Sequence, residues 1–202
     1  MHEPVVMAGR PGEVPGAVEW LTDVERERAA RFVRELDRRA FVAAHLLVRL
    51  CASELLGIDP AKLTLLQVCD VHGPGHGKPY LRDHPDLGVS LSHTRDYVCA
   101  GAGDGRVGVD AEHIPEGPMD ESLAHQILSA AERETIQGNG EVIRQWVRKE
   151  ALIKRGELTL DTMNHTTTDW SRYHLLEWQD GPVLVTAITD APARRAAIPR
   201  IP

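Results

Sequence analysis

Aromatic residues are scarce in this 202-residue chain, at 4%, and cysteine occurs three times. The cysteines, Cys51, Cys69 and Cys99, are odd in number and far apart, with no C-x-x-C pair. That argues against a disulfide framework and against a thiolate zinc site. No apolar run approaches the roughly 20 residues that a membrane-crossing helix needs. A basic excess is missing too: 23 Lys and Arg face 30 Asp and Glu, for a formal charge of -7. This balance argues against sequence-independent binding to nucleic acid or to an anionic membrane, both of which draw on a cationic surface. The start, Met1-His2-Glu3-Pro4, lacks the charged and apolar stretches of a secretory leader, so a cytoplasmic chain is expected. Lysine is the last scarcity. Among the 23 cations only Lys62, Lys78, Lys149 and Lys154 are lysines, which makes each position worth inspecting.

What is present is ordinary for a globular protein: 42% hydrophobic and 26% charged residues, in a length suited to one large domain or two small lobes. Residues 1–18 are rich in Pro and Gly and read as an irregular lead-in. From Asp23 to about Leu56, apolar residues recur at three- and four-residue steps, among them Phe32, Val33, Leu36, Phe41, Ala44, Leu47 and Cys51. This predicts helix, with Asp23 as N-cap, Gly57 as stop and a break near Asp37. Residues 62–69 read as a strand, 72–79 as a glycine-proline turn, and 87–100 as strand, turn and strand, followed by a strand over 107–112. Helices are expected over about 120–137, with a capping box at Ser129 and Glu132, and over about 141–155. A hairpin joins 173–178 to 183–189, and the last dozen residues read as a loose tail. Each half mixes helix and strand, so the expected class is α+β, with an N-terminal lobe over 1–106 and a C-terminal lobe over 107–202.

Candidate chemistry concentrates in three places. Asp110 and Glu112 stand two apart on a strand, so their carboxylates share a face. Alone, that is equally the pattern of a solvated strand end. Trp146, Glu150 and Lys154 fall four apart on a helix, with Lys149 beside them. A Glu and a Lys at this spacing commonly form a surface pair, but a tryptophan in line with them turns the stripe inward, where acid and base need a reason. The third place joins Gly77-Lys78-Pro79 to Ser92-His93-Thr94. It is not a Walker loop: the glycine spacing is one residue short and Pro79 replaces Ser or Thr. His72 and His76 have no third ligand at useful spacing and read as part of a surface turn.

Brought within about 4–5 Å of one another, Asp110, Glu112 and Glu150 would repel by roughly 4 kcal/mol per pair at an effective dielectric near 20. Such a set demands a proton or a cation. An all-oxygen set favours Mg²⁺, which commonly keeps substrate phosphates among its ligands. Lys78, His93, Lys154 and an N-lobe arginine suit a multiply phosphorylated ligand. Together they point to phosphoryl-group transfer with a metal on a diphosphate.

These segments, in this order, resemble the 4′-phosphopantetheinyl transferases, specifically the long, surfactin-type branch. That family carries G-[IV]-D-x-E and, about forty residues later, W-x-x-K-E-[AS]-x-x-K. Here they stand as Gly108-Val109-Asp110-Ala111-Glu112 and as Trp146 through Lys149-Glu150-Ala151 to Lys154. The G-K-P and S-H-[ST] elements stand at Gly77-Lys78-Pro79 and Ser92-His93-Thr94, so the resemblance spans about residues 25–160. It implies two similar α/β lobes in pseudo-twofold arrangement, in a monomer, with the active site between them. It also implies transfer of phosphopantetheine from coenzyme A to a serine of an apo acyl, polyketide or peptidyl carrier protein, releasing adenosine 3′,5′-bisphosphate. Asp110, Glu112 and Glu150 would hold Mg²⁺. Glu150 would deprotonate the serine, directly or through a metal-bound water, and Lys154 would neutralise the α-phosphate and the leaving group. Lys78 and Pro79 would border the adenine. Ser92 and His93 would bind phosphates, His93 the 3′-phosphate, joined by Arg39.

The chain departs from the family in two places. After Lys154 comes Arg155-Gly156-Glu157, with one glycine where the family has a glycine-x-glycine turn, and Ala40 and His45 stand where an arginine is expected. Two other functions remain open on the residues alone. One is a different Mg²⁺-dependent nucleotide phosphohydrolase or phosphotransferase. The other is a non-catalytic module that binds coenzyme A or a carrier protein. The preference for Arg over Lys suggests a GC-rich genome, in which secondary-metabolite biosynthesis is a natural setting.

Overall fold

The computed structural model describes residues 2–69 and 73–200, so His72 lies outside the described residues. The N-terminal lobe contains strand β1 (Val5–Gly9), helices α1 (Asp23–Ala30) and α2 (Glu35–Leu56), and strands β2 (Leu65–Cys69), β3 (Gly73–Leu81), β4 (Leu87–His93) and β5 (Val98–Asp104). The C-terminal lobe contains strand β6 (Val107–His113), helices α3 (Glu121–Ile127), α4 (Ala130–Thr135) and α5 (Asn139–Arg155), and the hairpin β7 (His174–Asp180) and β8 (Val183–Thr189). A final short strand, β9 (Arg194–Arg195), returns to the first lobe and pairs in parallel with β1. One sheet runs β4-β5-β1-β9, a second runs β6-β8-β7, and β2-β3 form a separate ribbon. Among the described residues no helix is long and apolar enough to cross a membrane.

Alternation along the strands stacks these parts into four layers, helix, sheet, sheet and helix. Val5, Met7, Val89, Val98 and Ala100 face α2 and pack on Ala40, Ala44, Leu47, Val48 and Cys51. The opposite faces, through Val6 and Cys99, meet Val107, Val109 and Ala111 of β6 and Val185 and Ala187 of β8. Behind the second sheet, Leu184 and Ile188 pack on Ile143, Val147, Ala151 and Leu152 of α5. Each lobe is thus a sheet, antiparallel apart from the β1–β9 pair, covered by one long helix, and the class is α+β with two similar lobes. Truncating a side chain such as Leu47, which is wholly buried, would cost about 2–5 kcal/mol. Two glycines permit the close layers. A Cβ on Gly101 would press on Val107 and Val109 of the facing sheet, and one on Gly108 would collide with the Ala151 carbonyl.

Several elements differ from their sequence-based expectation. The lead-in contains β1, a buried inner strand whose five residues are too few to show a period. The glycine turn is the strand β3, in which Gly73, Gly75 and Gly77 take φ of 70, 87 and 90° and the pairing with β2 shifts register between Gln67 and Val68. The tail is anchored by β9, with Arg194 and Ala196 donating backbone bonds to Pro4 and Val6 at 2.9 Å. Thr22, not Asp23, caps α1: its hydroxyl accepts from the Glu25 amide at 3.3 Å while the Glu25 carboxylate accepts from the Thr22 amide at 2.7 Å. The helical stretch breaks at 31–34 rather than at Asp37, and so Val33 (100% exposed) and Leu36 (62%) lie outside the core despite fitting the period. Within 120–137 the capping box at Ser129 and Glu132 does mark a helix start, which divides the span into α3 and α4. Gly57 does end α2, in the left-handed region at φ 66°.

Candidate active site

On β6, Val107, Val109 and Ala111 fill the space between the sheets, which turns Gly108, Asp110 and Glu112 toward α5. Lys154, in the last turn of α5, donates to Asp110 Oδ1 at 2.8 Å and to the Val109 carbonyl at 2.9 Å. From the other lobe, Ser92 Oγ donates to the same Oδ1 at 2.7 Å, and Ser90 Oγ accepts from the Val109 amide at 3.1 Å. Asp110, 3% exposed, is therefore gripped from both sides through one oxygen. Its second oxygen, Oδ2, is buried with no hydrogen-bond partner.

The neighbouring carboxyls register this arrangement. Burial, reinforced by the charges of Asp110 and Glu150 and opposed by Lys154, pushes Glu112 up to about 7. Burial and the Asp110 charge also raise Glu150, again against Lys154. For Lys154, burial works against the charged form, but Asp110 and Glu150 outweigh it and the ammonium is held above its usual range. Three acids therefore share one field with a single ammonium among them. Among the described residues no three His, Cys, Asp or Glu side chains are already gathered as a metal cage. An orphaned carboxylate oxygen, together with two carboxyls whose ionisation is suppressed by burial and by the neighbouring charge, is a donor set that a hard divalent cation would complete.

A cleft of about 350 Å³ adjoins this cluster and is lined by Gln67, Gly77, Lys78, Pro79, Ser90, Leu91, Ile153, Lys154 and Gly156. It brings Lys78 and Pro79 together with Lys154. Ser92 has its hydroxyl committed to Asp110. His93, the next residue, turns the other way, toward α2, with its ring 6.1 Å from Phe41 and 6.5 Å from Phe32. Burial, then the positive charges of His45, Lys154 and Arg28, lower His93 to about 4, with Asp37 opposing. The arginine beside His93 is Arg28 of α1, whose guanidinium lies 5.2 Å over the Phe41 ring and donates to Gln67 Oε1 at 3.1 Å.

Arg39 is not brought to this place. It stands two residues from Phe41, about 200° around α2, and lines a separate cavity with Arg38, Val42 and Leu46. The signal that points to Arg28 is local: Thr22 and Glu25 form a capping box, and Arg28 follows one turn later on the same face. Lys149 is likewise absent from the cleft. Fully buried, it donates to Glu132 Oε2 at 2.6 Å and to the Met163 and Ile127 carbonyls at 2.8 and 2.9 Å, which uses all three of its protons to tie α5 to α4, to the segment at Met163 and to α3. Trp146 is half-buried in the apolar contact between α5 and α3. After Lys154 the chain turns on Gly156 at φ 80°, and Glu157 closes the turn through ion pairs with Arg155 and Arg106.

The fold and site define a two-lobed α+β protein that holds an undercompensated carboxylate–lysine cluster beside a cleft between its lobes. Residues 106–198 match the family model described as the 4′-phosphopantetheinyl transferase superfamily, and residues 10–104 match the one described as 4′-phosphopantetheinyl transferase, N-terminal. The chain belongs to this family. It is 25% identical to a 4′-phosphopantetheinyl transferase of Bacillus subtilis, over 65% of this chain and 58% of that protein. It is 29% identical to the 4′-phosphopantetheinyl transferase psf-1 of Bacillus pumilus, over 64% and 55%. The mouse L-aminoadipate-semialdehyde dehydrogenase-phosphopantetheinyl transferase is also 29% identical, over 70% and 52%. The chain thus spans a little over half the length of these curated relatives.

Proposed function

We propose that this chain moves the phosphopantetheine arm of coenzyme A onto a serine of an apo acyl, polyketide or peptidyl carrier protein, with Mg²⁺, and releases adenosine 3′,5′-bisphosphate. In this reading it is a cytoplasmic monomer of the long branch, serving secondary-metabolite biosynthesis, with lobes over 1–106 and 107–202. One observation carries the proposal: Asp110 is buried with Oδ1 doubly bonded and Oδ2 unpartnered, beside two acids whose proton affinity is raised by burial and by its charge. The names of the similar proteins support the transferred group.

Asp110, Glu112 and Glu150 would hold Mg²⁺, which when bound supplies positive charge to the diphosphate. Lys154 stands beside Asp110 and neutralises charge on the α-phosphate as it departs. Glu150, with its raised proton affinity, accepts the proton of the carrier serine. A bond forms between the serine oxygen and the β-phosphorus, and the bond from that phosphorus to the oxygen bridging the α-phosphate breaks. The bridging oxygen leaves with the adenosine bisphosphate. Lys78 and Pro79 border the adenine, and Arg28, in place of Arg39, joins His93 at the ribose phosphate. Ser92 serves the phosphates indirectly, by holding Asp110.

Incubation with coenzyme A, Mg²⁺ and an apo carrier protein tests this directly. A mass gain of one phosphopantetheine on the carrier is expected. Phosphate release with an unmodified carrier would instead identify a nucleotide phosphohydrolase. A Glu150→Ala variant that keeps full function in cells would identify a binding module. A panel of apo carriers compared by kcat/KM then names the partner class.

A further inference from the structure

A second buried ionic cluster lies behind His93, and no step of the proposed reaction uses it. Glu25 accepts from Arg49 through both oxygens, at 2.9 and 2.7 Å, and binds His45 Nδ1 at 2.7 Å. Arg49 is wholly buried and also donates to the Leu63 and His45 carbonyls, at 3.1 and 2.7 Å. Glu25 additionally receives the amide and hydroxyl of Thr22 at 2.7 and 2.9 Å, so the same carboxylate fixes the start of α1 against α2. Replacing such a cluster with apolar side chains commonly leaves stability unchanged or raises it. Stability alone is therefore a weak reason for these residues.

The geometry runs from this cluster to Arg28 and His93. With Glu25 ionised, His45 Nδ1 donates, and the ring is locked in one tautomer and one plane. That ring lies 4.1 Å from Phe41, tilted by 32°. Phe41, itself buried, carries the Arg28 guanidinium over its face and meets the His93 ring edge-on. Arg28 also sits one turn beyond Glu25 on α1, so the carboxylate that orients His45 sets the phase of the helix that delivers the guanidinium.

We propose that His45, held by Glu25 and Arg49, is a positioning residue: through Phe41 it fixes Arg28 and His93 as an anion pocket for the phosphate on the ribose of the nucleotide. This rests on the proposed coenzyme A reading. The family resemblance leads one to expect an arginine at His45; here an imidazole braces the pocket from behind.

The test compares coenzyme A with 3′-dephospho-coenzyme A by isothermal titration. His45→Asn keeps a donor for Glu25 but removes the ring. It should weaken coenzyme A about tenfold while leaving the dephospho compound within about twofold. His45→Phe keeps the ring and should restore coenzyme A to within about threefold of the original. Phe41→Leu removes the aromatic plate at nearly constant volume and should reproduce the selective loss, which keeps the test decisive if His45→Asn does not fold. Equal loss for both ligands, or no loss for either, overturns the positioning role. An unmutated protein that binds both ligands equally overturns the pocket itself. Failure of the proposed function reads separately, as a carrier that gains no mass.

Discussion

Glu25 and Asp110 are both carboxylates buried in this protein, one in each lobe, and their surroundings are opposites. Glu25 has both oxygens occupied, by Arg49, His45 and Thr22. Burial alone would raise it, but these partners prevail and hold it near 2. Asp110 has one oxygen doubly bonded and one bare, and its charge helps to raise Glu112 and Glu150. Lys149 and Glu132 repeat the first pattern in the C-terminal lobe. Buried charge that is fully paired and hydrogen-bonded holds elements together. Buried charge left in deficit is an incomplete site. The sharpest way to break this contrast is to open the closed cluster. Arg49→Leu strands Glu25 as an uncompensated charge and should cost about 3–5 kcal/mol, read as a lowered midpoint in urea. A loss below about 1 kcal/mol, the range of an exposed pair, would mean that Glu25 is not closed at all.

The reverse experiment removes charge from the open cluster. Lys154→Ala should lower kcat for carrier modification by about 10²–10³, the scale of a lost transition-state donor, with its far-UV spectrum retained. Unchanged turnover would remove Lys154 from the chemistry and make Asp110–Lys154 one more structural pair.

Opposite surroundings also predict opposite pH dependence in protein freed of metal by EDTA. Glu25 falls from 4.5 unfolded to about 2 folded, so its contribution is complete above 4.5 and is lost as pH falls toward 2. It amounts to about 3 kcal/mol. Glu112 rises from 4.5 to about 7, so the folded state binds its proton more tightly and stability is lost as pH rises from 4.5 to 7. Urea midpoints from pH 3 to 8 carry both limbs together with that of His93, whose lowering to about 4 adds stability as pH rises and opposes Glu112, so each limb is read as the difference between parent and variant. Glu25→Gln should flatten the acid limb and Glu112→Gln the upper one. Millimolar Mg²⁺ should also flatten the upper limb. If it leaves that limb unchanged, the three acids are not a cation site.

The contrast was only half legible in the sequence. The alternation of β6 and the four-residue stripe of α5 announced which side chains share a face, and the structure does bond Lys154 to Asp110. Arg39 is expected beside His93 from the resemblance alone; it lines another cavity, and Arg28 lies across the break at 31–34, where the helical phase of α2 does not reach. Lys149 sits next to Glu150 in sequence, yet its partner Glu132 comes from a separate helix that spacing along α5 cannot reveal. Strands β1 and β3 escaped because a five-residue run and a glycine-studded run show no usable period. For β9, pairing with β1 is a long-range event with no local signature.

The mildest variant tests the seam between the two patterns. Ser92 is the N-lobe side chain that donates to Asp110, at 2.7 Å to the same oxygen that Lys154 holds from the C-lobe. Ser92→Ala leaves that ammonium in place and removes only a hydrogen bond to a charged acceptor, a change of about 1.5 kcal/mol. Metal-free protein at pH 8 should lose this much in urea denaturation. Added Mg²⁺ should recover part of it, because a cation on Oδ2 supports the carboxylate that Ser92 no longer does. Activity should fall less than in Lys154→Ala, since no charge is lost from the cleft. If the variant matches the parent in both stability and turnover, Asp110 is oriented by its own lobe alone, and the open cluster does not depend on the N-terminal lobe closing over it.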